Sequence, residues 1–76
     1  DWRSGWLETD GVTLARLVER LNRASTRSIV IEDPALGRRR VAGRFRLDEP
    51  EALVRNLALV HGFQVREEAG SLALSR

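Results

Sequence analysis

Residues 48–65 read DEPEALVRNLALVHGFQV. Asp48 stands where it can accept from the free amides of a helix's first turn, and Glu51 follows at capping-box spacing. Pro50 falls inside that turn, where its missing N–H costs nothing. The helix so predicted runs to about His61, and Gly62 is placed to end it in the left-handed conformation. The spread of apolar residues decides the fold. Ala52, Leu53, Val54, Leu57, Ala58, Leu59 and Val60 surround most of the circumference, and a helix apolar nearly all round is buried on more than one side. A single sheet with helices on one face would leave half of it in water. A sandwich, with both helices between two small sheets, would not.

Strand patterns flank this helix on both sides. Upstream, Val41, Gly43, Phe45 and Leu47 alternate with Ala42, Arg44 and Arg46, the signature of a half-buried strand. Gly43 in its middle predicts a bulge or a close backbone approach. Downstream, Phe63 and Val65 alternate with Gln64 and Arg66, Ala69-Gly70 forms a turn, and Leu72 and Leu74 alternate with Ser71, Ala73 and Ser75. That is a terminal hairpin.

The first half repeats the scheme. Trp6 to Thr9 form a short extended segment, ended by the turn dipeptide Asp10-Gly11. Leu14, Leu17, Val18 and Leu21 follow the amphipathic-helix template, with Thr13 as cap. Arg16, Glu19, Arg20 and Arg23 take the opposite face, Glu19 and Arg23 in the favourable i, i+4 order. Ser25-Thr26 breaks the pattern, and Ser28 to Glu32 read as a buried strand. Asp33-Pro34-Ala35-Leu36-Gly37 reads as a turn, proline presetting one dihedral and glycine permitting a positive one. The expectation is an α+β domain over residues 1–76: tandem β-α-β and β-α-β-β units with two helices sandwiched between two small β-sheets.

Seventy-six residues make one domain at most, with a small core. A hydrophobic fraction of 42% with 32% charged residues is globular composition. Cysteine is absent, which excludes disulfides and thiolate metal sites. No apolar run reaches the roughly 20 residues that span a bilayer. The chain begins at Asp1 without a methionine, and we read it as a piece of a longer protein. Every basic side chain is arginine, a bias that fits a GC-rich genome. A net charge of +2 is small for a nucleic-acid binder.

Catalytic chemistry finds no constellation. The single histidine, His61, sits at a predicted helix end, where an imidazolium would complement the dipole. Neither a nucleophile elbow nor a paired acid and base is present. We therefore expect no enzymatic activity, no cofactor and no metal. Arg38, Arg39 and Arg40, with Arg44 and Arg46, form the one notable charge feature. They read as a solvated loop entering a strand edge kept unsociable by charge, as a surface for an acidic partner, or as a phosphate-binding stripe. A Gly-x-x-Gly loop and an aromatic platform, which an RNA-binding KH-like module would need, are both missing. Trp2 and Trp6 are either lids on the open end of the core or anchors for a partner. We take Trp2 as a lid and Trp6 as a contact residue.

Several fixed points carry a family likeness. They are Trp2, Gly5 and Leu7; Leu14-Ala15 and Leu21-Asn22-Arg23; Ile29 and Ile31; Asp33-Pro34-Ala35-Leu36; Val41-Ala42-Gly43-Arg44-Phe45; and Leu57, Gly62 and Val65. In order and spacing the chain resembles the periplasmic C-terminal signalling domain of FecR-like anti-sigma regulators. This fold family includes the short N-terminal (STN) domain of secretins and TonB-dependent receptors. Thr13 and Thr9 depart from the pattern, standing where the family often has proline and a large apolar residue. The resemblance implies an STN-like domain of an inner-membrane protein, lying in the periplasm of a Gram-negative bacterium. Its implied partner is the signalling domain of an outer-membrane TonB-dependent transducer in iron-uptake cell-surface signalling and transcription regulation. The alternatives are an N-terminal STN domain of a TonB-dependent receptor or secretin, or a small nucleic-acid-binding module. Recognition at a sheet edge is expected, with Arg44 and Arg46 as leading charges.

Overall fold

The structure, a computed structural model, describes residues 5–76; the expectation for Trp2 lies outside them. Strand β1 (Trp6–Thr13) leads into helix α1 (Leu14–Leu21), strand β2 (Ser28–Ile31) and a short helix α2 (Pro34–Gly37). Strand β3 (Arg40–Arg46), helix α3 (Pro50–His61) and the hairpin β4 (Gln64–Glu68) and β5 (Ser71–Ser75) complete the chain. β1 and β3 pair antiparallel as one sheet; the other has the order β2-β5-β4, parallel on one side of β5 and antiparallel on the other. α1 packs against β1 and β2, and α3 against β3 and β4, so each helix touches both sheets. The expected α+β sandwich is the observed fold.

Local chemistry explains most element ends. Thr13 Oγ1 accepts from Arg16 N–H at 3.2 Å, capping α1 as its hydroxyl position predicts. Gly62 adopts φ +76° after α3, and its N–H returns to Ala58 O at 2.8 Å. No atom lies within 4 Å of where its Cβ would be, so backbone conformation alone selects glycine there. The core gathers Leu14, Leu17, Val18 and Leu21 from α1, Val54 and Leu57 from α3, and Ile29, Val41, Leu72 and Leu74 from the strands. Among the described residues no polar side chain is buried.

Four expectations need correction. Asp10-Gly11 is not a turn: β1 runs through it as a bulge, the register passing from Thr9↔Gly43 to Val12↔Val41. The turn dipeptide supplies an extra residue rather than a reversal, and Gly43 opposite takes φ +136°, a conformation open chiefly to glycine. Asp33 to Gly37 form α2 instead of a simple turn, with Asp33 Oδ1 accepting from Ala35 N–H at 2.9 Å. Gly37 does not take the expected positive φ, and an added Cβ would meet Ala15 Cβ at 3.5 Å, an ordinary van der Waals contact. The capping box at α3 does not form. Glu49 is the N-cap without a side-chain bond, while Asp48 is held by Arg46 and Glu51 reaches Arg27 at 3.8 Å. A two-pronged bond to a guanidinium outweighs one to a neutral amide. Finally, α3 is not buried all round: Leu59 and Val60 are 83% and 77% exposed. The sandwich stands, but α3 lies at its margin, with Val54 and Leu57 inward.

One side chain closes a sheet edge. Ser28 N–H donates to Gly70 O and Glu32 N–H to Leu74 O, so the backbone of Ile29 faces away from β5. Asn22 meets it there: its Oδ1 accepts from Ile29 N–H at 2.8 Å and its Nδ2 donates to Ile29 O at 3.1 Å. The amide imitates one rung of a neighbouring strand and ties the end of α1 to β2. Removing both bonds in Asn22→Ala is expected to cost about 1–2 kcal/mol. The melting temperature should fall by roughly 5–15 °C for a domain of this size. Thermal unfolding followed by circular dichroism measures it, and an unchanged midpoint would contradict the role.

Candidate functional site

Of the residues predicted to meet a partner, the structure unites three. Trp6 pairs with Arg46 across the first sheet, and Glu8 with Arg44. Their side chains therefore share the face opposite Leu7 and Phe45, which pack against the core. The Arg44 guanidinium lies 4.6 Å from the centre of the Trp6 ring and that of Arg46 lies 5.5 Å from it. Such contacts hold the long side chains over the indole face. Trp6 is half-buried rather than projecting, so it acts as a platform for the arginines as much as a contact of its own.

The two arginines differ in charge balance. Arg46 is paired with Asp48, Nε to Oδ1 at 3.0 Å and Nη2 to Oδ2 at 2.6 Å. The hydrogen bond from Arg46 holds the Asp48 carboxyl below its usual range. With a depressed folded-state pKa, the pair persists through neutral and mildly acidic pH. It is lost only as pH falls through that lowered value. Arg44 forms no ion pair among the described residues and presents a fuller positive charge.

The arginine run does not act as a unit. Arg39 Nη1 donates to His61 O at 2.6 Å, satisfying a carbonyl at the C-terminal end of α3. Arg40 Nη1 donates to Gly11 O at 2.6 Å, clamping the β1 bulge. Both are structural ties between distant segments, while Arg38 is exposed at the end of α2. Between β3 and α3 lies a shallow groove of about 230 Å³. Arg44, Phe45 and Arg46 line one side of it and Ala52, Leu53 and Asn56 the other. Among the described residues no three side chains of metal-ligating type converge.

Sequence reading missed Asn22 and the tie made by Arg39. An Asn just beyond the last apolar position of α1 was the available signal for the first. Arg39 and His61 are separated by 22 positions, beyond the reach of any local pattern.

The fold has counterparts among solved structures. Two crystal structures of a "putative anti-sigma factor" from Parabacteroides distasonis superpose with TM-scores of 0.81 and 0.80. Each is 19% identical and covers 99% of this chain. The chain spans about a third of the length of those proteins, 35%. At that identity the likeness is one of fold. No family model matches the sequence, and no curated protein matches it either.

Proposed function

We propose that this chain is the periplasmic signalling domain of a FecR-like transmembrane anti-sigma regulator, working by protein recognition rather than catalysis. Its partner in this reading is the signalling domain of an outer-membrane TonB-dependent transducer, in cell-surface signalling for iron uptake. The observation that carries the reading is the superposition of 99% of the chain on a portion of a putative anti-sigma factor. The residue pattern of the FecR-like branch, from Trp2 through Val65, points the same way. The surface suits the role. It carries an aromatic-backed pair of arginines beside a shallow groove, which suits a protein better than a small substrate.

The test is calorimetric titration of the chain with the purified signalling domain of a TonB-dependent transducer from the same organism. Saturable one-to-one binding is expected. Absence of binding, together with a strongly salt-dependent shift of RNA or DNA by the chain, would replace this reading with a nucleic-acid one.

A further inference from the structure

The four outer strand edges are not equivalent. On β2, Asn22 already occupies the outward groups of Ile29. On β1, the bulge at Asp10 and Gly11 breaks the register, and Arg40 takes the Gly11 carbonyl. β4 also has no strand on its outer side among the described residues, but it carries Glu67 and Glu68, both engaged in ion pairs with arginines. β3 is the unpaired edge that carries a run of arginines.

The hydrogen-bond phase of β3 follows from two bonds. Leu47 N–H donates to Gly5 O at 2.7 Å and Leu14 N–H donates to Arg39 O at 2.8 Å. In an antiparallel ladder such bonds fall on alternate residues. Together with the register, this directs the backbone of Arg39, Val41, Gly43, Phe45 and Leu47 toward β1. The bulge lies on β1, so the phase on β3 is unbroken. Arg40, Ala42, Arg44 and Arg46 therefore turn their N–H and C=O groups outward, and among the described residues no second strand pairs with them. Every one of these except Ala42 is arginine. A strand laid on this edge would place its side chains opposite Arg44 and Arg46 on the outer, cationic face. Its intervening side chains would point inward, toward the groove of Phe45, Ala52 and Leu53.

We infer that the β3 edge accepts an extended acidic segment of a protein partner, alternating carboxylate with small apolar side chains. Its backbone pairs with Ala42, Arg44 and Arg46. Two features argue for this occupant. The charges opposite its outer positions are positive, and Arg44, although Glu8 stands opposite it across the sheet, forms no ion pair among the described residues. The Trp6 platform also holds the guanidinia in place, which reduces the side-chain entropy lost on binding. The inference rests on the chain being a protein-recognition domain, and it adds the edge, the register and the chemistry of the partner.

The probe is a short peptide, blocked at both ends, alternating valine with glutamate; its counterpart carries lysine in place of glutamate. Amide hydrogen exchange of the full chain is followed by NMR with each. The glutamate peptide should slow exchange at Ala42, Arg44 and Arg46 by about tenfold or more, as new backbone bonds form. Val41, Gly43 and Phe45, already bonded to β1, should change little, and the lysine peptide should protect nothing. Ala42→Pro removes an outward N–H, at the kind of edge position where proline is tolerated. It should abolish the protection. Should that variant fail to fold, Arg44→Glu with Arg46→Glu serves instead and should lose the peptide while keeping its circular dichroism spectrum.

Protection appearing on β2 or β4, or equal binding of the lysine peptide, or no protection at all, would overturn the inference. So would protection that rises with protein concentration without peptide, which would make a second copy the occupant. Transducer binding that survives Ala42→Pro would remove this inference alone and leave the proposed function standing.

Discussion

If the proposed partner is the right one, Arg44→Glu combined with Arg46→Glu is expected to weaken binding of a transducer signalling domain on the order of 100-fold at low ionic strength. The reason is geometric. Both side chains stand on the outer face, flanking an edge whose outward backbone groups pair with no strand among the described residues. Reversal removes two attractions and adds two repulsions at the same point. The loss should shrink in high salt, because the screening length falls to about 3 Å at 1 M. Arg44→Glu alone should cost more than Arg46→Glu alone, since Asp48 already offsets part of the Arg46 charge. Titration calorimetry at two salt concentrations reads both effects. Equal affinities for the double variant and the parent at low salt would place the interface elsewhere. The fold should survive, because both side chains are exposed and neither belongs to the core cluster.

Leu17→Ala has the largest expected effect on stability. Leu17 is fully buried, with 0% of its surface exposed, in the helix that touches both β1 and β2. Truncating such a leucine costs about 2–5 kcal/mol. A domain of 76 residues has only about 4–11 kcal/mol to lose at typical per-residue stabilities. The melting temperature should drop by roughly 10–30 °C, and the variant is expected to be partly unfolded near physiological temperature. Leu59→Ala is the informative contrast. Its side chain sits on the wet flank of α3, so the same chemical change should move stability by less than about 0.5 kcal/mol. Urea denaturation of the two variants separates them. Comparable losses at both sites would mean that α3 is enclosed on both flanks after all.

That contrast marks where sequence reading worked and where it stopped. Leu14, Leu17, Val18 and Leu21 announced α1 and its buried stripe because charged residues fill the other face. In α3 the pattern misled. Apolar residues ring the helix, but Leu59 and Val60 stay in water because neither sheet extends over them. The layer architecture was legible even so, since alternation in the strands and the stop at Gly62 are local properties. Asp48 shows a subtler failure. Arg46 was only two positions away, yet the capping reading weighed the helix amides and not the competing guanidinium.

The same division holds for the candidate site. Trp6, Arg44 and Arg46 could be chosen from alternation, because residues two apart on a strand share a face. Their assembly into one aromatic-backed pair required β1 and β3 to meet in a particular register across some 40 positions, Trp6 opposite Arg46. Arg39 and Arg40 looked like members of the same patch, but tertiary contacts with His61 and Gly11 turned them into ties.

By itself, then, the sequence determined the inward and outward faces of α1 and of the half-buried strands, where α1 starts and α3 stops, and that two β-α-β units make an α+β sandwich. Those are consequences of backbone periodicity and turn chemistry acting over a few residues. Only the tertiary structure decided how the edges of β1, β2 and β3 differ. That outcome depends on Asn22 reaching Ile29, on the bulge in β1, and on the hydrogen-bond phase that β1 imposes on β3. Each is a competition between distant groups for the same backbone atoms, and its winner is set by where the packed layers bring them.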